Sequence, residues 1–262
     1  MYKRRYNKRR RKRILFKRVL VTVLLMGIMG SAVVFAINRN SSKGMNKEDK
    51  AKIQEIQKNS EQYPKEVLEL LEHNKETVDF VYDYPEKKDS KPAGSIGKVH
   101  QGEIPKLIQW DERWGYAKYS DNIIAINGCG PTALAMVAAG LTGDNTITPY
   151  KVAKYAAKNG YYVEGTGSSW SLMTEGSERF GIQGRELVLD QSIIFSELEN
   201  GNPIICSMSP GDFTTTGHFI VLAGTKDGKI RVNDPNSKKR SRLWDYDRLE
   251  SQINNLWVFT EN

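Results

Sequence analysis

Two residues of this 262-residue chain have types and surroundings suited to covalent chemistry, Cys129 and His218. Cys129 lies in Asn127-Gly128-Cys129-Gly130-Pro131-Thr132-Ala133-Leu134-Ala135-Met136, between two glycines and just ahead of a helix that Pro131 is placed to open as its first residue. Small neighbours leave such a thiol approachable. A helix N-terminus adds unpaired N–H groups and the positive end of the helix dipole, which favour a thiolate. Read alone, the motif fits a small buried cysteine at a tight helix start equally well. A thiolate nucleophile also needs a partner to carry the proton. Of the three histidines, His73 falls on the polar side of a helix and His100 in a loop-like stretch, so both read as solvated. His218 heads the apolar run Gly217-His218-Phe219-Ile220-Val221-Leu222-Ala223-Gly224, a strand able to hold the imidazole at its open end.

The next strand supplies a third member. Thr225-Lys226-Asp227-Gly228 reads as a turn into Lys229-Ile230-Arg231-Val232-Asn233, followed by Asp234-Pro235. A hairpin folded about Asp227 sets His218 opposite Asn236 and makes Asp234 its diagonal neighbour on the same face. A carboxylate there would fix the ring tautomer and stabilise the imidazolium. In isolation Asp234 reads equally as a turn former. Gln109, in Ile108-Gln109-Trp110-Asp111-Glu112-Arg113-Trp114, offers a side-chain amide that can donate to an oxyanion. On its own it reads as a surface residue. Trp110, Trp114, Tyr161, Tyr162 and Trp170 either line a cleft or belong to the core. Gly165-Thr166-Gly167-Ser168-Ser169 lacks the lysine and preceding strand of a phosphate loop and reads as a helix-capping loop beside the cleft. Cys206, in the apolar run Pro203-Ile204-Ile205-Cys206-Ser207-Met208, reads as a buried structural thiol, although nothing in the sequence excludes a Cys129 to Cys206 disulfide. No His and Cys spacing suits zinc, so no metal or cofactor is expected.

The elements that must position these groups follow an α+β order. Predicted helices run from Pro131 to Leu141, from Thr148-Pro149 to near Gly160, from Trp170 to Phe180 ahead of Gly181, and from Gln191 to Glu199 ahead of Gly201. Predicted strands are Pro203 to Met208, His218 to Ala223, Lys229 to Asn233 and Leu256 to Phe259. Upstream, Ile53, Ile56, Val67, Leu68, Leu70 and Leu71 recur at helical spacing with a break at Tyr63-Pro64, which predicts two short helices. The segment 77–84 is apolar and aromatic enough to need a packing partner, expected on the C-terminal domain. Residues 86–97 read as a loop.

The net charge of +8 is misleading. The first 18 residues hold 11 Lys and Arg and no acid, and the remainder is slightly acidic, which is not the footprint of a nucleic-acid binder. Val19 to Ile37 follows with 19 residues and no charged side chain. As a helix it would cover about 28 Å, close to the hydrocarbon thickness of a bilayer. A cleaved signal peptide is the alternative, with Val34-Phe35-Ala36 as its cleavage site, but the stretch exceeds the usual apolar region of such peptides. The expected layout is therefore a basic cytoplasmic tail (1–18), a transmembrane helix (19–37), a helical juxtamembrane lead-in and linker (38–100) and an extracellular domain (101–262).

With these residues in view, Gln109 to Thr260 resembles the C39-like cysteine peptidases, a branch of the papain-like hydrolases. The likeness rests on Gln109-Trp110-Asp111 followed by Trp114, on Gly128-Cys129-Gly130-Pro131-Thr132 with Ala135-Met136, on Gly217-His218-Phe219 and on Asn233-Asp234-Pro235. It implies a papain-like α+β fold, helices followed by an antiparallel sheet, with Cys129 as nucleophile, His218 as base, Asp234 as its orienter and Gln109 as oxyanion donor. The segment from Tyr63-Pro64 to Tyr84-Pro85 is similar to the helical lead-in that often precedes such domains. The best-known relatives are fused to ABC transporters and cut leader peptides after a double glycine in the cytoplasm. This chain shows no transporter and points its domain outward, so leader processing is not carried over. The expected function is cleavage of a peptide or amide bond in a peptide, protein or cell-wall stem peptide. The alternative is a catalytically silent tethered module of the same fold that binds a peptide or the wall. The substrate and the oligomeric state are left open.

Overall fold

The structure, a computed structural model, describes residues 45–262. The basic tail and the apolar span 19–37 lie outside the described residues. Among the described residues no helix is long and apolar enough to cross a membrane. Two compact units are present, one ending at Tyr82 and one covering Asp83–Asn262.

The first unit holds helices α1 (Lys47–Lys58), α2 (Lys65–His73) and α3 (Val78–Tyr82). Asn46 caps α1 by accepting the Asp49 N–H at 2.7 Å, and Pro64 precedes α2 as the break in periodicity predicts. Ile53, Ile56, Val67 and Leu71 are buried with Phe80 and Val81, as α3 packs on α1 and α2. Most of the apolar segment 77–84 thus finds its partners within this unit.

The second unit opens with α4 (Tyr84–Lys87). Residues 83–100, assigned from sequence to the linker, are tied into it by Ala93 N–H to Arg113 O at 2.8 Å and Ile96 N–H to Asn145 O at 2.9 Å. In chain order there follow β1 (Lys118–Tyr119), β2 (Asn122–Ile123), α5 (Ile124–Asn127), α6 (Cys129–Thr142), α7 (Pro149–Lys158), β3 (Tyr162–Val163), β4 (Gly167–Ser168), β5 (Ile182–Glu186), α8 (Gln191–Glu199), β6 (Ile204–Met208), β7 (His218–Lys226), β8 (Lys229–Asn233), β9 (Leu243–Trp244), α9 (Tyr246–Glu250) and β10 (Ile253–Glu261). Six strands form one antiparallel sheet in the order β5-β10-β6-β7-β8-β9. The architecture is the mixed helix and antiparallel sheet expected of the sequence.

Both faces of the sheet are covered. One cluster packs Ile205, Phe219, Val221, Trp257 and Phe259 against α6 and α7, and the other packs Ile204, Cys206, Ile220, Val232 and Val258 against α8 and α9. Burial on both sides explains why β6 reads as an unbroken apolar run rather than an alternation.

Two sequence expectations need correction. Trp170 to Phe180 is not an α-helix but two 3₁₀ turns, Trp170–Leu172 and Ser177–Phe180. The Ser177 hydroxyl donates to the Thr174 carbonyl at 2.6 Å and accepts the Gly184 N–H at 3.2 Å, drawing backbone groups away from a helical ladder. Helix α6 begins at Cys129, two residues before the predicted start, so Pro131 sits third, still in the first turn where its missing N–H costs nothing.

The β7–β8 hairpin turns on Asp227 and Gly228, both at positive φ (53° and 71°), with Lys226 opposite Lys229 and Thr225 opposite Ile230. Beyond them Ala223 and Gly224 oppose Arg231 alone, a bulge at which Gly224 adopts φ 135°, and pairing resumes with Leu222 opposite Val232.

Candidate active site

Cys129 is the first residue of α6, half-buried, with Gly128 and Gly130 on either side. The two glycines do more than expose the thiol. A Cβ on Gly128 would stand 2.4 Å from the Ile124 carbonyl oxygen, and one on Gly130 would stand 2.6 Å from Ser168 Oγ. The Ser168 hydroxyl is in turn held by Tyr119 OH at 2.8 Å, which fixes β4 against the start of α6. On the other side Asn127 Nδ2 donates to Tyr162 OH at 2.8 Å, tying the turn before the thiol to β3.

His218 opens β7 and is buried. Its Nε2 lies 2.7 Å from Asp234 Oδ1, which leaves Nδ1 as the nitrogen facing the Cys129 thiol, its other hydrogen-bond partner. Asp234 is buried and fully engaged: Oδ1 also accepts the Asn236 N–H at 2.7 Å, and Oδ2 accepts from Arg240 Nε at 2.5 Å. Asp234 N–H donates to Ser241 Oγ at 2.9 Å.

Charge decides the protonation states. Burial pushes the Cys129 thiol up, but the hydrogen bond and charge of His218, with the N–H groups of Phe219 and Gly130, outweigh it and hold the thiol below its ordinary value. Burial pulls the His218 imidazolium down, yet the charge and hydrogen bond of Asp234, together with Cys129, raise its pKa to about 10. Burial also raises Asp234, and His218 and Arg240 overcome this to keep its carboxyl below the usual range. These directions favour the charged thiolate–imidazolium pair over the neutral one, with the Asp234 carboxylate and the Arg240 guanidinium behind the ring.

Gln109 is buried beside the turn that leads to Cys129. Its Nε2 donates to the Ala125 carbonyl at 2.8 Å and lies 3.3 Å from the Ile126 carbonyl, while its Oε1 has no hydrogen-bond partner. Its backbone N–H donates to Pro235 O at 2.7 Å, linking it to the residue after Asp234. Cysteine, histidine, aspartate and glutamine thus converge on one end of the sheet.

The other singled-out residues divide. Trp114 is core, and Tyr161 packs on Tyr155 at 5.8 Å. Tyr162 stacks edge-on against Tyr119 at 4.9 Å, and Trp170 stays 43% exposed against Trp257. Trp110 is buried with Nε1 donating to Asn236 O at 3.1 Å. Ser169 caps the Trp170–Leu172 turn, so the 165–169 stretch does cap a helical turn. His73 and His100 are exposed, and His73 Nδ1 sits 2.7 Å from Glu69 O on its own helix. Both cysteines are free thiols, and burial pushes that of Cys206 far up. Arg240 escaped the sequence reading. A cation in a Lys-Lys-Arg loop gives the signature of a solvated segment, and nothing local shows that it turns back to a buried carboxylate.

A thiolate at a helix start paired with an imidazolium defines the cysteine peptidases as a class. The match of residues 102–261 to the Peptidase_C39 like family narrows this, and the chain belongs to that family of cysteine peptidases. Among solved structures it is similar to a C39-like peptidase from Bacillus anthracis, at 15% identity over 63% of this chain and 98% of that one, TM-score 0.42. It is also similar to the peptidase domain of Streptococcus ComA, a bi-functional ABC transporter involved in a quorum sensing pathway (18% identity, 52% and 93% covered, TM-score 0.41). A third is a double glycine motif protease from an AMS/PCAT transporter in complex with the leader peptide (18% identity, 63% and 98% covered, TM-score 0.38). No curated protein matches the chain.

Proposed function

We propose that this chain is a membrane-anchored thiol hydrolase that cleaves a peptide or amide bond outside the cytoplasm. Cys129 is the nucleophile, His218 its acid and base, Asp234 the orienter and Gln109 an oxyanion donor. The observation that carries the reading is the 2.7 Å contact between His218 Nε2 and Asp234 Oδ1, because it commits the ring to present Nδ1 to the thiol. The Cys129 thiolate attacks the carbonyl carbon, and the oxyanion gathers the Gln109 amide as donor. His218 gives its Nδ1 proton to the leaving amine as the tetrahedral centre collapses to an acyl-enzyme. Water then attacks, with His218 taking its proton, and the carboxylic acid product leaves as Cys129 is regenerated. For Gln109 to serve, its amide must turn its second N–H toward the oxyanion while keeping the Ala125 bond.

The anchor is residues 19–37, and the Arg-rich tail before it keeps the N-terminus in the cytoplasm. An outward domain suits peptide substrates at the cell surface, including stem peptides of a wall. Two measurements test this. The full chain should release cleaved fragments from peptide mixtures or purified wall material, and Cys129→Ala should release none while remaining folded; turnover in the variant overturns the mechanism. A membrane-impermeant maleimide should label Cys129 in intact cells, and labelling that requires lysis overturns the orientation.

A further inference from the structure

The loop after Asp234 is strongly basic in surroundings that are not. Residues 101–262 carry 16 Lys and Arg against 19 Asp and Glu, yet residues 231–242 hold five of those cations and one acid, the buried Asp234. These cations are not scattered around the unit. Lys238 Nζ lies 4.8 Å from the centre of the Trp110 ring, whose Nε1 donates to Asn236 O, and Asn236 in turn donates its N–H to Asp234. Arg240 reaches Asp234 directly. Lys106 Nζ donates to the Ser241 carbonyl at 3.2 Å, and Ser241 Oγ accepts the Asp234 N–H. Three cations are each within a few bonded contacts of the carboxylate behind the imidazole. Lys106, Lys238 and Lys239 are exposed, and Lys239 enters no ion pair among the described residues. The acids beside Trp110 are held by other cations, Asp111 by Arg113 at 2.7 Å and Glu112 by Lys87 at 2.6 Å.

The position of this charge relative to the chemistry gives it a direction. The imidazole that protonates the leaving amine must face the part of the substrate that departs with that amine. The residues that follow the scissile bond therefore leave past the imidazole, and the contacts above gather the basic rim around Asp234, directly behind that ring. We propose that Lys106, Lys238 and Lys239, backed by Arg240, bind carboxylate side chains in the peptide segment on the leaving-amine side, so that the enzyme prefers bonds followed by Asp or Glu. The inference rests on the hydrolase reading above and names its substrate class. Exposed ion pairs of this kind favour an acidic over a neutral side chain by roughly three- to fivefold in rate.

The full-length chain, incubated with a proteome-derived peptide library and read by mass spectrometry, tests it. Cuts absent with Cys129→Ala are scored for the four residues after the cut. Asp and Glu should be enriched about three- to fivefold there, with Lys and Arg depleted. The enrichment should fall as salt is raised, because exposed charges are screened over about 10 Å at 0.1 M. The double variant Lys238→Glu with Lys239→Glu should invert the preference toward Lys and Arg, a result that loss of folding cannot produce. Cys129-dependent cuts without acidic enrichment, or a preference unchanged in the double variant, overturn the inference and leave the hydrolase standing. Absence of any Cys129-dependent cut overturns the hydrolase reading and this inference with it.

Discussion

His218 and Asp234 share a face of the β7–β8 hairpin because of a bulge that lies between the turn and the imidazole, at Ala223 and Gly224. From the turn outward, Thr225 opposite Ile230 puts the odd positions of β7 on the face that carries Ile230, Val232 and Asp234. Continued without interruption, that register would leave His218 on the other face. The extra residue switches the parity, so that Leu222 pairs with Val232 and the even positions, His218 among them, join Asp234. The hairpin inferred from sequence, folded about Asp227, has the same register as the observed Leu222–Val232 and Val221–Asn233 pairs, reached through a different route. Its one-residue error at the turn is cancelled by the bulge.

Gly224 should therefore be sensitive for backbone reasons alone. Its φ of 135° is one that side chains rarely adopt, while a Cβ there would meet nothing within 4 Å. Gly224→Val is expected to destabilise the chain by about 1–3 kcal/mol and to raise the pH at which Cys129 alkylates. Deleting Gly224 removes the extra residue yet keeps Leu222 opposite Val232, so it should leave the thiol activated. Equal loss of thiol activation in both variants, by urea unfolding and alkylation, would refute this account of the register.

Alkylation as a function of pH reads the ion pair itself. With Cys129 held below its ordinary value and His218 raised to about 10, the thiolate–imidazolium pair is favoured over the neutral pair. Iodoacetamide should modify Cys129 readily at pH 7 and leave the buried Cys206 untouched. In His218→Ala the opposing effect of burial remains and only the Phe219 and Gly130 N–H groups still counter it, so Cys129 should alkylate much more slowly at pH 7 than in the wild type. A Cys129 profile unmoved by that substitution would mean the two groups are not coupled.

Much of this site was legible in the sequence, because each residue type carried its own local signal. Asp190 caps α8 by accepting the Ile193 N–H at 3.0 Å, and this helix spans the predicted Gln191 to Glu199. Lys229 to Asn233 is likewise the predicted strand. What was missed is non-local. β5 buries only Ile182 in Ile182-Gln183-Gly184-Arg185-Glu186 and lies at the sheet edge beside β10, so no apolar alternation marks it. The bulge and the Arg240 contact both depend on chain returning from elsewhere, which no window of sequence displays.

Close packing at the nucleophile gives a paired test. Gly130→Ala puts a methyl group 2.6 Å from Ser168 Oγ and 2.7 Å from its Cβ, and is expected to cost about 1–3 kcal/mol. Ser168→Gly removes both atoms, so the double variant should recover part of that loss. An additive double-variant cycle, measured by chemical unfolding, would show that β4 does not press on the start of α6.

Gln109 should separate turnover from thiol activation. Its Nε2 is anchored on the Ala125 carbonyl and contributes to neither the Cys129 nor the His218 shift, so Gln109→Ala should leave the alkylation profile of Cys129 in place. Loss of an oxyanion donor should lower kcat by about 10²–10³ with little change in KM. An unchanged kcat would remove Gln109 from the mechanism.

Asp234→Asn keeps the shape of the side chain and removes its charge. Asp234 supplies the main force that raises His218 against the effect of burial, so in the variant the imidazolium loses most of its support and only Cys129 still favours it. Turnover should fall by on the order of 10²-fold or more, as in other hydrolases whose orienting carboxylate is neutralised. Stability should respond with a defined pH dependence. The depressed carboxyl of Asp234 stabilises the fold above its ordinary pKa of 3.8, and that contribution is lost as pH falls through its lower folded value. The raised imidazolium of His218 contributes fully below its ordinary 6.5, and its share is lost as pH rises toward about 10. The stability difference between wild type and Asp234→Asn should therefore be greatest between about pH 4 and pH 6.5 and shrink on both sides. Urea unfolding at a series of pH values measures it, and a difference that does not vary with pH would show that the two groups are not paired in the folded chain.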